Sequence, residues 1–315
     1  MSIPDAADER RHGPDPERLW NESSYLDWFD PDGRTGGYVR LGLYPNEGVA
    51  WFWCCLVGAD EPTVLVIDHE VPVPAMPSLE VRSSGLWADM VIEEALDHFS
   101  VGVEAFGVAV DDPADAYRGG AGGIRGDRMA VGIDLGWETD GPDVAAADAE
   151  PWAFHYGVTT RYEIPCRVAG EVLIGDRRIT LDGWGQRDHS WGVRDWWADS
   201  WTWFSGRLDD GERFHAVKVV GRDGGIGYRS TAGGLVGSYD VTSTPVPGAG
   251  GIPTSGVVTL GDLRFDLEPV GWAPVLLVHP EDGRQTRIPR GLMAVTTDDG
   301  RTGHAWVEYN QAPVG

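Results

Sequence analysis

The chain has 315 residues, 42% of them hydrophobic, which is enough for one large core or two ordinary ones. With 50 acidic residues against 25 basic ones the formal charge is -25, which argues against docking on nucleic acid or on an anionic membrane surface. Three cysteines make no disulfide framework, and no window reaches the roughly 18 apolar residues of a membrane span.

Residues 1–18 are polar and charged, with Pro4, Pro14 and Pro16 and no apolar segment of a secretory leader. They are expected to form a disordered tail on a cytoplasmic protein. From Trp20 onward short alternating runs recur between turn residues, as in a β protein. Gly37 to Tyr44 reads as a strand, and Pro45-Asn46-Glu47-Gly48 turns it back into Val49 to Val57 with Trp51 and Trp53 on one face. Val64 to Val71, Leu79 to Arg82 and Phe99 to Val110 continue as strands, whereas Trp87 to Leu96 reads as a short helix. Asp111-Asp112-Pro113-Ala114-Asp115 has the D-D-x-x-D spacing of a magnesium–diphosphate motif. Pro113 breaks the helix that such a motif needs, which leaves a turn with solvated acids.

Met129 to Trp137 is a strand, Glu138 to Glu150 an acidic loop, and Trp152 to Ile164 a strand. Arg167 to Ile174 and Arg177 to Leu181 form a hairpin that delivers the chain into its most distinctive stretch, expected to hang off the strand end. Beyond it Ser200 to Leu208 pairs with Arg213 to Val220. Shorter strands follow, and Gly291 to Thr297 with Gly303 to Asn310 closes the chain. The pattern predicts an all-β fold of two antiparallel barrels or sandwiches, residues 19–182 and 183–315.

Six of the 15 tryptophans fall between Trp184 and Trp203, interleaved with Gln186, Arg187, Asp188, His189, Ser190, Arg194 and Asp195. The structural explanation is a tryptophan core beside a loop whose polar groups bond their own backbone, with Arg194–Asp195 a salt bridge and Arg187 pinning a turn. Placing Arg, Asp and His among tryptophans, however, implies desolvation without an evident packing gain, which points to the wall of an apolar cavity. Eight scattered histidines with no His-x-His or Cys-x-x-Cys pair predict no metal site. No phosphate loop appears, and Gly119 to Gly126 lacks a strand-to-helix context, so no cofactor is expected.

Gly185-x-Arg187-Asp188-His189-Ser190-Trp191-Gly192 resembles the carotenoid hydratase (hydroxyneurosporene synthase) group and its lipocalin-like relatives, some of which are cyclases. That resemblance implies two packed lipocalin-like β domains around an apolar ligand pocket, with His189 and Trp191 at positions associated with hydration. The Tyr and Asp that follow in those hydratases have no counterpart between Ser200 and Val220.

Two functions fit. One is a cofactor-independent acid catalyst of hydration, isomerisation or cyclisation, acting on a hydrophobic alkene such as a terpenoid, steroid or polyketide-like molecule. In it Asp188 would stay protonated in an apolar cavity as general acid, with His189 orienting it. Trp191, Trp201 and Trp203 would stabilise a cation, and Arg187 or Arg194 would anchor the substrate. Trp184, Gln186 and Glu308 complete the candidate pocket. The other function is a carrier of lipophilic ligands, in which Asp188 and His189 are a structural pair. Either way the partner is a hydrophobic small molecule, and nothing in the sequence specifies an oligomeric state. Activity or ligand binding is expected to survive exhaustive chelation, and an assay after EDTA treatment, with single metals added back, checks this.

Overall fold

The computed structural model describes residues 4–118, 123–140, 153–156, 159–231 and 233–313, with only the backbone of 153–156 and 159. The regular structure of the described residues is almost entirely strand, in two large antiparallel sheets. The first holds β1 (Trp20–Phe29), β2 (Thr35–Tyr44), β3 (Val49–Gly58), β4 (Glu61–Pro72), β5 (Val81–Ser83), β6 (Leu86–Glu94), β7 (His98–Val110), β8 (Asp127–Thr139), β9 (Ala153–Tyr156), β10 (Thr159–Ile174) and β11 (Arg177–Val193). Sequential hairpins order it, and β11 returns to lie between β1 and β10. Pairing of Thr63–Leu65 on β4 with Val108–Val110 on β7 then closes eight of these strands into a barrel.

The second sheet holds β12 (Trp201–Leu208), β13 (Arg213–Val219), β14 (Ile226–Thr231), β15 (Gly234–Ser238), β16 (Val241–Val246), β17 (Ser255–Leu260) and β18 (Leu263–Trp272). It is completed by β21 (Arg290–Thr297) and β22 (Thr302–Asn310), while β19 (Val275–Val278) and β20 (Gln285–Ile288) form a separate ribbon. The sheet curls until Thr202 Oγ1 on β12 lies 2.8 Å from Ser243 Oγ on β16.

Strand alternation sorts the apolar residues into three layers. Leu26, Val39, Leu41, Phe52, Val101, Ile133, Trp137 and their neighbours fill the barrel. Phe204, Phe214, Phe265 and Val295 fill the curl of the second sheet. Between the two lies a third layer, rich in aromatics, from the barrel's outer face and the facing side of the second sheet: Tyr25, Tyr38, Trp53, Trp196, Trp203 and Trp306.

Three expectations are corrected. Trp87 to Leu96 is not helical: Leu86, Ala88 and Met90 alternate into the core as β6, and the chain turns at Leu96, which has φ 64. The stretch Gly183 to Val193 is not a loop at a strand end but the second half of β11, paired on both sides. The described segment before β1, from residue 4, lies against the barrel, because Glu9 is buried with Arg187 Nη1 2.8 Å from its carboxylate. The acidic turn behaves as read: Asp112 accepts from the Ala114 N–H at the start of one 3₁₀ turn, Pro113–Tyr117. Of the acidic loop, residues 141–150 lie outside the described residues.

Arg187→Met would leave the Glu9 carboxylate buried and unpaired, a change that costs about 3 kcal/mol. Removing residues 1–18 should strand Arg187 to similar effect. Urea unfolding of both variants reads this, and a truncated protein as stable as the full chain would return the segment to a free tail.

Candidate functional site

Strand register builds the site from two facing rows. On the barrel's outer face, cross-strand pairing sets Glu163 beside Asp188, Asp188 beside Tyr25, Tyr25 beside Arg40, and Arg40 beside Trp53. On the second sheet, Arg290 pairs with Glu308, Glu308 with Trp203, and Trp203 with Val217. The rows lock edge to face. Trp203 meets the Tyr25 ring at 5.2 Å and donates its Nε1–H to Glu163 at 3.0 Å, and the Arg290 guanidinium lies 4.1 Å over the Tyr25 ring.

Between the rows is a cavity of about 260 Å³, partly open to solvent. Tyr25, Asp188, Trp196, Trp201, Trp203 and Glu308 are among its walls, together with several arginines. Arg161 pairs with both Glu163 and Asp188 Oδ2, whereas Asp188 Oδ1 is buried without a hydrogen-bond partner. Glu308 accepts from Trp201 Nε1 at 2.8 Å and pairs with Arg290.

Behind Tyr25 sits Asp27. Tyr25 OH lies 3.1 Å from Asp27 Oδ2, and the Gln186 N–H donates to Oδ1 at 2.8 Å. Burial pushes the Asp27 carboxyl up to about 8, against the opposing pull of Gln186, Tyr25 and Arg290. It therefore holds its proton at neutral pH. Burial likewise pushes the Tyr25 phenol well up, and raises the Glu163 carboxyl in spite of Arg161.

The residues singled out from sequence divide between two faces, because β11 has period two. Asp188 faces the cavity, as do Arg194, Trp201, Trp203 and Glu308. Arg187, His189 and Trp191 point the other way, into the barrel, so His189 cannot orient Asp188. Arg187 is held by Glu9, His189 Nδ1 lies 3.1 Å from Tyr162 OH, and Trp191 stacks on His12 at 3.9 Å. Gln186 and Trp184 line a smaller recess beside Asp27, with the Arg207 guanidinium 3.8 Å over Trp184. Asp188 itself is in an ion pair and is not the unpaired neutral acid that the sequence reading requires. Tyr25-Leu26-Asp27 on β1 was missed; it has the Tyr-x-Asp spacing sought after the motif, placed instead before it.

A family model described as Domain of unknown function (DUF7064) matches residues 5–313. The chain belongs to that family. No curated protein matches this DUF7064 chain. Among solved structures it is similar to kievitone hydratase from Nectria haematococca, at 13% identity over 98% of this chain and 93% of the other, with TM-score 0.62. An AttH-type protein from Nitrosomonas europaea gives 14% identity, 92% of each chain and TM-score 0.62. CghA in complex with Sch210972 gives 11%, 95% and 90%, and 0.57. At these identities the likeness is one of fold, and that fold is shared with a hydratase; the narrower likeness to carotenoid hydratases rests on the β11 motif alone. No helix among the described residues is long and apolar enough to cross a membrane.

The DUF7064 chain also gathers one donor set that sequence spacing hides. A nitrogen of His12, the Glu22 carboxylate and a nitrogen of His189 lie within 4.8 Å of one another at one end of the barrel, a set able to hold a divalent cation. Burial would raise the Glu22 carboxyl, but hydrogen bonds from His12 and His189 outweigh it and hold it below its usual range.

Because folding raises the Asp27 carboxyl from the ordinary carboxylate range to about 8, the folded state binds that proton more tightly than the unfolded one. Its contribution to stability is complete below about pH 4 and is lost as pH rises to about 8. Asp27→Asn should remove this decline, so the variant gains stability relative to the native protein across that window. Urea midpoints at several pH values check it, and parallel curves for the two proteins would show that Asp27 is ordinary.

Proposed function

We propose that the chain is a cofactor-independent catalyst that protonates a double bond in a hydrophobic small molecule held between the two sheets, leading to hydration, isomerisation or cyclisation. The observation that carries this reading is Asp27, a carboxyl that burial keeps protonated, joined through the Tyr25 phenol to the cavity wall. Tyr25 gives its proton to one alkene carbon while the Asp27 proton replaces it on the phenol oxygen. The π electrons form the new C–H bond, leaving a cation on the adjacent carbon and a carboxylate at Asp27. Trp201 and Trp203, in the wall of the cavity, offer that cation aromatic stabilisation. Asp188 Oδ1 then removes a proton, either from a neighbouring carbon to make a new double bond or from a water that adds to the cation. Passage of that proton back through Tyr25, the cross-strand partner of Asp188, restores Asp27.

An acid that titrates near 8 is too weak to protonate an isolated alkene, since proton transfer is effective only when the acid's strength approaches the demand of the acceptor. The reading therefore selects electron-rich double bonds: enols, enol ethers, or polyenes conjugated to oxygen. The pairing of Asp188 with Arg161 and of Glu308 with Arg290 favours a second reading, a carrier with a satisfied polar wall.

Kinetics and direct ligand titration on the same proteins separate the two. Tyr25→Phe and Asp27→Asn should each lower turnover at least about a hundredfold, with ligand affinity little changed. In the native protein the rate should fall as pH rises through about 8, where Asp27 loses its proton. Undiminished turnover in both variants removes the pair from the mechanism, and a native protein that binds enol ethers and polyenes without converting any of them is the carrier.

A further inference from the structure

We infer that Arg40 anchors an acidic group of the ligand, so that the molecule occupying the cavity carries a carboxylate, or an equally acidic oxyanion, at the end that meets this side chain. The inference rests on reading the cavity as a ligand site and adds a chemical class to its occupant. Arg40 lines the cavity and is 2% exposed, and its buried Nη1 and Nη2 have no ion-pair partner among the described residues. Its guanidinium lies between two tryptophans, 4.6 Å from the Trp53 ring and 5.0 Å from the Trp196 ring. Aromatic faces stabilise a cation but accept nothing from the N–H groups at its edge. The Tyr44 hydroxyl beside it, which also accepts from Trp196 Nε1 at 2.8 Å, is a neutral group that supports the guanidinium and supplies no counter-charge. Burial pulls the guanidinium down to about 10, so it is still charged at neutral pH.

The other charges of the wall have protein partners. Arg161 pairs with Asp188, Arg290 with Glu308, and Arg222 with Asp199. Arg194 Nη2 donates to Ser190 Oγ at 2.9 Å, and Asp195 Oδ1 accepts from the Trp197 N–H at 2.9 Å. Among the described residues no carboxylate lies within ion-pair reach of Arg40, and the groups that act on it most strongly are Tyr44, Arg194 and Arg290. The guanidinium occupies space that Gly42 leaves open, since a Cβ at residue 42 would lie 2.4 Å from Nη1. A buried cation without a counter-ion is unfavourable. The two oxygens of a carboxylate match a guanidinium edge, and the ligand's apolar body would then run toward Trp201 and Trp203.

The test is binding by tryptophan fluorescence and calorimetry on the full chain, at pH 7 and constant ionic strength. The probes are sodium n-alkanoates from octanoate to dodecanoate and the alcohols of the same lengths. The native protein should bind the acids at least about tenfold more tightly than the matched alcohols, the discrimination that one charge-assisted bidentate contact provides. Arg40→Met, which keeps the length and the stacking but not the charge, should abolish that preference, and Arg40→Lys should restore part of it. Equal affinity for acids and alcohols in the native protein overturns the anchor while leaving the cavity as a ligand site. Failure of both series to bind overturns the cavity reading and the anchor together. A preference retained in Arg40→Met assigns it to another cation. The comparison of acids with alcohols on the native protein decides the matter even where a variant does not fold.

Discussion

The molecule depends on the register between β1 and β11. Their pairing carries Tyr25 opposite Asp188 and sends both to the face that meets the second sheet, while Leu26 and Arg187 turn inward. A slip of one residue would exchange the faces, pushing Asp188 into the barrel and Arg187 into the cavity. Glycines hold the register. A Cβ at Gly183 would lie 2.2 Å from the Phe29 carbonyl oxygen and one at Gly185 2.0 Å from that of Asp27. Each glycine thus admits a close backbone approach that any other residue at that position would force apart.

From that register follows the electrostatic character of the layer between the sheets. A face that buries charged residues against tryptophans can persist only if its charges are matched or removed. Both outcomes occur side by side. Asp188 and Glu308 stay in ion pairs with Arg161 and Arg290, while for Asp27, behind the cavity wall, burial outweighs the pull of Arg290. Environment alone thus sets one carboxyl against a cation and leaves another, Asp27, with its proton affinity raised by burial.

Much of this was legible in the sequence. The all-β class, the hairpins around Pro45–Gly48 and Gly175–Asp176, and the closing pair of strands all follow from period-two patterns and turn residues. Asp188, Arg194, Trp201, Trp203 and Glu308 do meet at one cavity. What misled was glycine. Gly183, Gly185 and Gly192 make the motif look like a loop, and in a loop consecutive Asp188 and His189 can share a pocket. In a strand they cannot. Tyr25 and Asp27 were illegible for another reason: they lie more than 150 residues from the motif, and only the return of β11 to the side of β1 brings them together. The Glu9–Arg187 pair and the His12, Glu22 and His189 cluster were hidden likewise, since a charged, proline-bearing terminus carries no periodicity that would announce a docked segment.

The same geometry puts the cavity outside the lumen of the barrel. An eight-stranded barrel is just wide enough to be filled by its own side chains or to take one small ligand. Here Trp28, Trp137 and the other apolar residues of the first layer fill the interior. The Glu9–Arg187 pair and the stack of His12 on Trp191 add the N-terminal segment to it. With the lumen occupied, the cavity lies on the outer face of β1, β2 and β11. A wall shared by two sheets has an advantage that a lumen lacks: the groups proposed as acid, base and cation-stabilising rings come from separate strands, each fixed by its own ladder. Tyr25 and Asp188 belong to one sheet and Trp201, Trp203 and Glu308 to the other, so a small change in the spacing of the sheets alters the cavity without disturbing either row.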